Sequence, residues 1–203
     1  PLFLGFAGSH TRMEADTSRS LSYLNGAARA ETVPQTWSTR VEAAYEMAKI
    51  GGFTPIPAFA YQGHWTRSDR YSETATGGAA AAALTVQPAT QATTRTEIGM
   101  GGEYEVGQTS MLGRSLGLNL RLVGRLAWAH YLDREAGMLS NFAGERSTSF
   151  VTTGARPDRN AALVGAGLEV TLADRITLHS RMEGEFSGNV TSIGGTARLR
   201  YEF

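Results

Sequence analysis

The sequence predicts an all-β chain: an antiparallel barrel that crosses a membrane with strands rather than helices. Three observations carry that reading. Eight segments alternate apolar and polar side chains with a period of two, the repeat of a strand whose successive side chains point to opposite faces. Within the segments the charges keep to one face. Between them, long and short connections alternate, as they do when strands shuttle between loops on one side of a bilayer and turns on the other.

Composition narrows the classes. The chain has 203 residues, the size of one ordinary domain. It contains no run of about 18 apolar residues that could form a membrane-spanning helix. Only 41% of residues are hydrophobic, and mean hydropathy is −0.22, as expected when half of each spanning strand faces a polar interior. There are no cysteines, hence no disulfide framework and no thiolate chemistry. Nineteen basic residues balance 19 acidic ones, and no charge block points to nucleic acid. Lys49 is the sole lysine, the other basic residues being Arg.

The segments follow in chain order. Residues 2–11 place Leu2, Leu4 and Phe6 on one face. In 36–47, Trp37, Val41, Ala43, Tyr45 and Met47 oppose Arg40, Glu42 and Glu46. Residues 53–65 carry Phe53, Pro55, Pro57, Phe59, Tyr61 and Trp65 on one side. A proline cannot donate to a ladder, so Pro55 and Pro57 are expected at a poorly paired strand end. In 92–106, Ile98, Met100, Tyr104 and Val106 oppose Arg95, Glu97, Glu103 and Glu105. Residues 116–132 set Leu116, Leu118, Leu120, Leu122, Leu126 and Trp128 against Asn119, Arg121, Arg125 and Tyr131. In 162–172, Val164, Ala166, Leu168, Val170 and Leu172 alternate with Gly165, Gly167, Glu169 and Thr171. In 176–186, Ile176, Leu178, Met182 and Phe186 alternate with Thr177, His179, Arg181, Glu183 and Glu185. The last segment, 191–203, has Ile193, Gly195, Ala197, Leu199, Tyr201 and Phe203 on one face and Arg198, Arg200 and Glu202 on the other.

The long connections are then 12–35, 66–90 and 133–160, with a tight 187–190 at the same end. The short ones are 48–52, 107–115 and 173–175, of which 107–115 is the longest. Trp37, Trp65 and Trp128 fall toward the long-connection end. Tyr45, Phe53, Tyr104, Tyr201 and Phe203 fall toward the other. Two aromatic belts are expected where a barrel meets the two membrane–water interfaces. A soluble sandwich would turn its polar faces to bulk water and mix Lys among the charges. Here the polar face is Gly, Ala, Thr, Arg and Glu, which suits a crowded, hydrated interior.

Catalytic signals are weak. No Gly-x-Ser-x-Gly, His-Glu-x-x-His or Gly-Lys-Ser/Thr loop occurs. His179 beside Glu183 and Glu185 offers one imidazole and no helical spacing, so pairing between strands is expected over a zinc site. No cofactor or metal is expected. A small eight-stranded outer-membrane barrel is the alternative, either a surface hydrolase or lipid-modifying enzyme or a passive pore or adhesin.

Several segments resemble one family, the C-terminal β-domain of autotransporters (type V secretion translocators) in the bacterial outer membrane. Phe53-Thr-Pro-Ile-Pro-Ala-Phe-Ala-Tyr resembles its Pro-then-aromatic strand, and Tyr71 to Leu84 resembles the acidic, then Gly/Ala-rich loop that follows. Gly124-Arg-Leu-Ala-Trp-Ala-His, Phe142-Ala-Gly, 150–154, 161–168, Gly184 to Asn189 and the terminal Tyr-Glu-Phe continue the likeness in order. The resemblance implies an outer-membrane barrel of the Gram-negative type with a periplasmic C-terminus, exporting an N-terminal passenger domain. It implies about twelve strands, of which eight lie here, and a linker helix through the pore. The Gly/Ala-rich 77–84 is expected to serve as packing or filler.

The same resemblance assigns roles. Arg40, Glu42, Glu46, Arg95, Glu97, Arg121, Arg125, His179, Arg181, Glu183, Arg198 and Arg200 would line the pore, or pair with one another across strands. Trp37, Trp65, Trp128, Tyr45, Tyr104 and Tyr201 would form the girdles. Leu199, Tyr201 and Phe203 would form the assembly signal of the closing strand. Partners implied are outer-membrane lipid, the passenger and linker helix, the barrel-assembly machinery and periplasmic chaperones, with the barrel a monomer and no nucleic acid bound.

Overall fold

The computed structural model describes residues 1–111, 114–134, 136–154, 156–172 and 175–202. Its strands are β1 (Leu2–Arg12), β2 (Ala15–Leu21), β3 (Gly26–Thr32), β4 (Gln35–Tyr45) and β5 (Phe53–Ser68). Then come β6 (Tyr71–Ser72), β7 (Thr74–Thr76), β8 (Leu84–Val86), β9 (Ala89–Met111) and β10 (Arg114–Arg134). The last are β11 (Gly137–Phe142), β12 (Glu145–Thr153), β13 (Asn160–Leu172), β14 (Ile176–Phe186) and β15 (Thr191–Tyr201). The main sheet has eight strands in the order β1-β4-β5-β9-β10-β13-β14-β15, with every pair antiparallel. These are the eight segments read from the alternation.

The sheet is curled, and ion pairs give the measure of it. Arg95 on β9 reaches Glu185 on β14 at 2.8 Å, although β10 and β13 lie between them. On a flat sheet three strand spacings would separate those backbones by roughly 14 Å. The Arg/Glu face is therefore the inside of the curve. Among the described residues no ladder joins β1 to β15, so the eight strands form an open trough rather than a closed eight-stranded barrel.

The convex face is apolar and bare. Phe6 is 77% exposed, Leu126 63% and Leu199 70%, and Leu4, Phe59, Ile98, Met100, Leu122, Val164, Met182 and Ile193 are exposed beside them. All sit at the outward positions of their strands. A water-soluble domain rarely leaves a contiguous apolar patch of this extent uncovered. Among the described residues no helix has the length and apolarity to cross a membrane. In the main sheet the buried apolar side chains lie instead on the concave side, among them Ala60, Ala127, Ala129, Ala161 and Leu163.

Pro55 and Pro57 occupy the end of β5 where the β4 ladder has already stopped, at the Ala44–Ala58 pair. The Pro55 carbonyl accepts from the Met47 N–H, so the backbone of Pro55, and of Pro57 in phase with it, points to that β4 side. The missing proline donors thus thin only the fading β4-side ladder, and the bonds to β9 are untouched.

One expectation needs correction. The stretch 107–115 is not a loop, because β9 runs to Met111 and β10 starts at Arg114. The hairpin ladder absorbs it through irregular pairing between Ser115 and Asn119. The turn itself, at 112–113, lies outside the described residues, as do 173–174 of the short 173–175 connection. The long connections carry strands of their own. They fold into a three-stranded sheet, β2-β3-β7, and a four-stranded one, β12-β11-β8-β6. Between them the Gly77–Ala82 3₁₀ turn buries Ala79 against Leu21 and Ala28. Gly77 has φ +66, and a side chain there would strike the Asn25 carbonyl at 2.3 Å, so only glycine fits the turn. Arg19 clamps this cap through Glu73 at 2.6 Å and the Ala82 carbonyl at 2.8 Å, while Glu73 accepts the Leu84 N–H.

Candidate functional site

The concave face is where chemistry collects, because alternation delivers charge to it from every strand and curvature brings those charges together. At its centre Glu97 on β9 is 1% exposed. Arg40 on β4 donates to both its oxygens, Nη1 to Oε1 at 3.1 Å and Nη2 to Oε2 at 3.0 Å. Arg125 on β10 donates to Oε2 at 2.6 Å, and Arg95 reaches Oε1 at 2.8 Å. Three guanidinium groups thus surround one carboxylate.

A second carboxylate balances the far side. Arg95 donates to Glu185 and to the Tyr131 hydroxyl, both at 2.8 Å, and Tyr131 donates to Glu185 at 2.6 Å. Arg40 donates sideways to Glu42 at 3.0 Å and to the Gln62 side-chain Oε1 at 3.3 Å. Gln62 in turn meets His64 Nε2 at 2.7 Å, and Ser38 meets His64 Nδ1 at 2.8 Å. The three arginines face three carboxylates (Glu42, Glu97 and Glu185), so the centre is charge-balanced. A charge-balanced network suits a hydrated wall better than an ion trap, though Arg95 Nε stays buried without a hydrogen-bond partner.

Small residues make room for this cluster. Ala60 and Ala129 are the direct ladder partners of Glu97, and Ala129 pairs onward with Ala161. Gly99 is closed in more tightly still: a side chain there would lie 2.4 Å from Ala127 Cβ and 2.5 Å from the Leu126 carbonyl. The trough in front encloses about 980 Å³, lined from β4 through β15.

The other candidate lining residues lie around this centre. Arg121 stands 3.7 Å from Glu103, Arg181 2.7 Å from Glu183 and Arg200 2.8 Å from Glu202. His179 pairs with Glu169 at 3.1 Å, which separates it from Glu183 and Glu185. Arg198 sits on the concave face opposite His179, on the edge strand β15. Glu46 lies just past the end of β4, its N–H bonded to the Pro1 carbonyl.

The aromatic candidates lie on the convex face. Trp37 and Trp65 are direct ladder partners, and His10 packs on Trp37 with ring centres 5.0 Å apart. Trp128 occupies a different row. It pairs with Ile98, whereas Trp65 pairs with Ala92 farther toward the long-connection end of β9. Tyr45 and Tyr104 sit at the turn end, Tyr104 beside Phe53 and against Gly52. Leu199 and Tyr201 project from β15 toward the convex side, paired in the ladder with Leu178 and Ile176. Phe203 lies outside the described residues.

Tyr131, Glu185, Gln62 and Ser38 belong to the central network yet were not singled out as site residues in the sequence. Their inward parity was readable. The curvature that brings β14 against β9 was not. Among the described residues no cluster of His and carboxylates is arranged to hold a metal ion.

The family model described as Autotransporter beta-domain matches residues 1–183, from β1 into β14. No curated protein matches the chain.

Proposed function

We propose an export role for this chain, which belongs to the autotransporter β-domain family: it anchors in the outer membrane and passes an N-terminal passenger to the cell surface. The observation that carries the proposal is the inside-out sheet. An apolar convex band suits lipid, where burial is worth roughly 25 cal/mol per Å² of apolar surface. A charge-balanced concave wall suits a hydrated passage, able to hold a helix or extended chain without offering it a greasy surface. The long connections face the cell exterior in this reading and the turn end, with the C-terminus, faces the periplasm, following the loop asymmetry of outer-membrane barrels.

Among the described residues the outer edges of β1 and β15 have no ladder partners, and they need them, because unpaired backbone in hydrocarbon costs several kcal/mol per group. Further strands of the same barrel would supply them, and a linker helix would lie against Arg40 and Arg125. Surface protease treatment of intact cells tests the export role. The passenger should be digested from outside while an epitope placed at the C-terminus survives until the outer membrane is opened. A passenger that stays protease-resistant in intact cells, yet is digested once the membrane is opened, would refute it.

A further inference from the structure

The convex face is free of charge along most of the main sheet, and its exceptions gather at one rim. Among the described positions that point outward from the eight strands, the charged side chains are Arg12, Arg67 and Asp133. Arg12 and Arg67 share a single rung, Arg12–Gln35–Arg67–Thr90, at the long-connection end. Only β4 separates their strands, so their backbones stand roughly 10 Å apart, and both side chains are long enough to meet over Gln35. The rung immediately beneath, toward the membrane centre, is His10–Trp37–Trp65–Ala92. It holds the stacked His10–Trp37 pair, and Trp65 lies flat over Gly63, where a side chain would be 2.3 Å from its ring.

We propose that this rim is a binding site for the phosphate headgroup of an acylated lipid, with the acyl chains running down the aromatic and aliphatic face below. Two guanidinium groups with a neutral amide between them form a donor surface for phosphate oxygens. Indole rings at headgroup depth present a flat apolar platform to the first part of the chains. Nearby acids weaken the site little. Asp69 holds Arg67 through Nε at 3.6 Å with both side chains about two-thirds exposed or more, 66% and 72%. Asp133 is two strands farther along, beside Thr94. The commitment to a lipid rather than a free anion rests on continuity: the basic pair sits directly above the lipid-facing band, and so rests on the membrane reading above.

Native mass spectrometry of the full-length protein in detergent gives the test, with a bisphosphorylated acyl-diglucosamine lipid as probe. One lipid should bind, and Arg12→Gln/Arg67→Gln should weaken binding about tenfold or more, the loss of two charge-assisted contacts. Arg12→Lys/Arg67→Lys should keep most of it. The dephosphorylated lipid should bind no better to the wild type than the phosphorylated lipid does to the glutamine variant, and millimolar inorganic phosphate should not compete. Equal binding by the glutamine variant, or by the dephosphorylated lipid, would overturn the proposal. So would displacement by inorganic phosphate, which would mark an adventitious ion only. Quenching of tryptophan fluorescence by brominated acyl chains in vesicles tests the membrane reading separately. If quenching persists while phosphate discrimination is absent, this proposal alone fails. If quenching is absent, the membrane placement fails with it.

Discussion

Removing the Glu97 carboxylate should destabilise the folded sheet more than any other single change on the concave face. Arg40 Nη2 and Arg125 Nη2 touch the same oxygen, at 3.0 and 2.6 Å. The two nitrogens therefore lie within about 6 Å of each other, and at an effective dielectric of about 20 that is ~3 kcal/mol of repulsion once the anion is gone. Arg95, at 2.8 Å from the other oxygen, adds to it. Breaking a buried charge cluster from one side costs about 3–5 kcal/mol in comparable settings. Glu97→Ala, refolded into phospholipid vesicles and unfolded with urea, should lose that amount. Glu97→Gln, which keeps one acceptor, should lose less. At 1 M salt most of the Ala penalty should persist, because Glu97 is 1% exposed and buried charges are screened far less than exposed ones. A Glu97→Ala protein within about 0.5 kcal/mol of wild type at low salt, a margin typical of an uninvolved surface site, would refute the assignment of Glu97 as the keystone of this network.

Other consequences separate the two faces and the cap. Leu126→Arg, on the convex face, should cost about 2–4 kcal/mol in vesicles, whereas Val123→Arg, which points into the trough, should cost far less in the same urea titration. Gly99→Val places atoms where the Leu126 carbonyl and Ala127 already sit, so the heat-modifiable folded band in cold electrophoresis should be largely lost. Arg19→Ala removes the clamp on Glu73 and Ala82, and limited proteolysis should then cut within residues 69–84 several-fold faster while the main sheet stays intact.

The main sheet was legible because alternation is local: the outward row Leu118, Leu120, Leu122, Leu126 and the inward Arg121 and Arg125 follow from sequence parity alone. The cap was not. Residues 12–35, 66–90 and 133–160 lack a sustained period of two, and their short strands are held by partners distant in sequence, such as β3 with β7 and β8 with β11. The hairpin at 107–115 was hidden in a similar way, its ladder irregularities shifting parity where Gly and Ser already weaken the pattern. In the candidate site, parity placed Arg95, Glu97 and Glu185 on one face but could not pair β9 with β14. That contact depends on how far the sheet curls, a property of the whole sheet and of small residues such as Ala60, Ala129 and Ala161 on its inner side.

The most direct test of the account is a nitroxide scan along β10. Since the chain contains no cysteine, single Cys substitutions from 120 to 127 would each carry one label. In vesicles, labels at 120, 122, 124 and 126 should be accessible to oxygen dissolved in lipid, and those at 121, 123 and 125 to a water-soluble nickel chelate, while 127, where Ala127 is buried, serves as the packed control. Uniform accessibility to the water-soluble reagent along the whole strand would contradict a sheet that sets its convex face in lipid and its charged face in water.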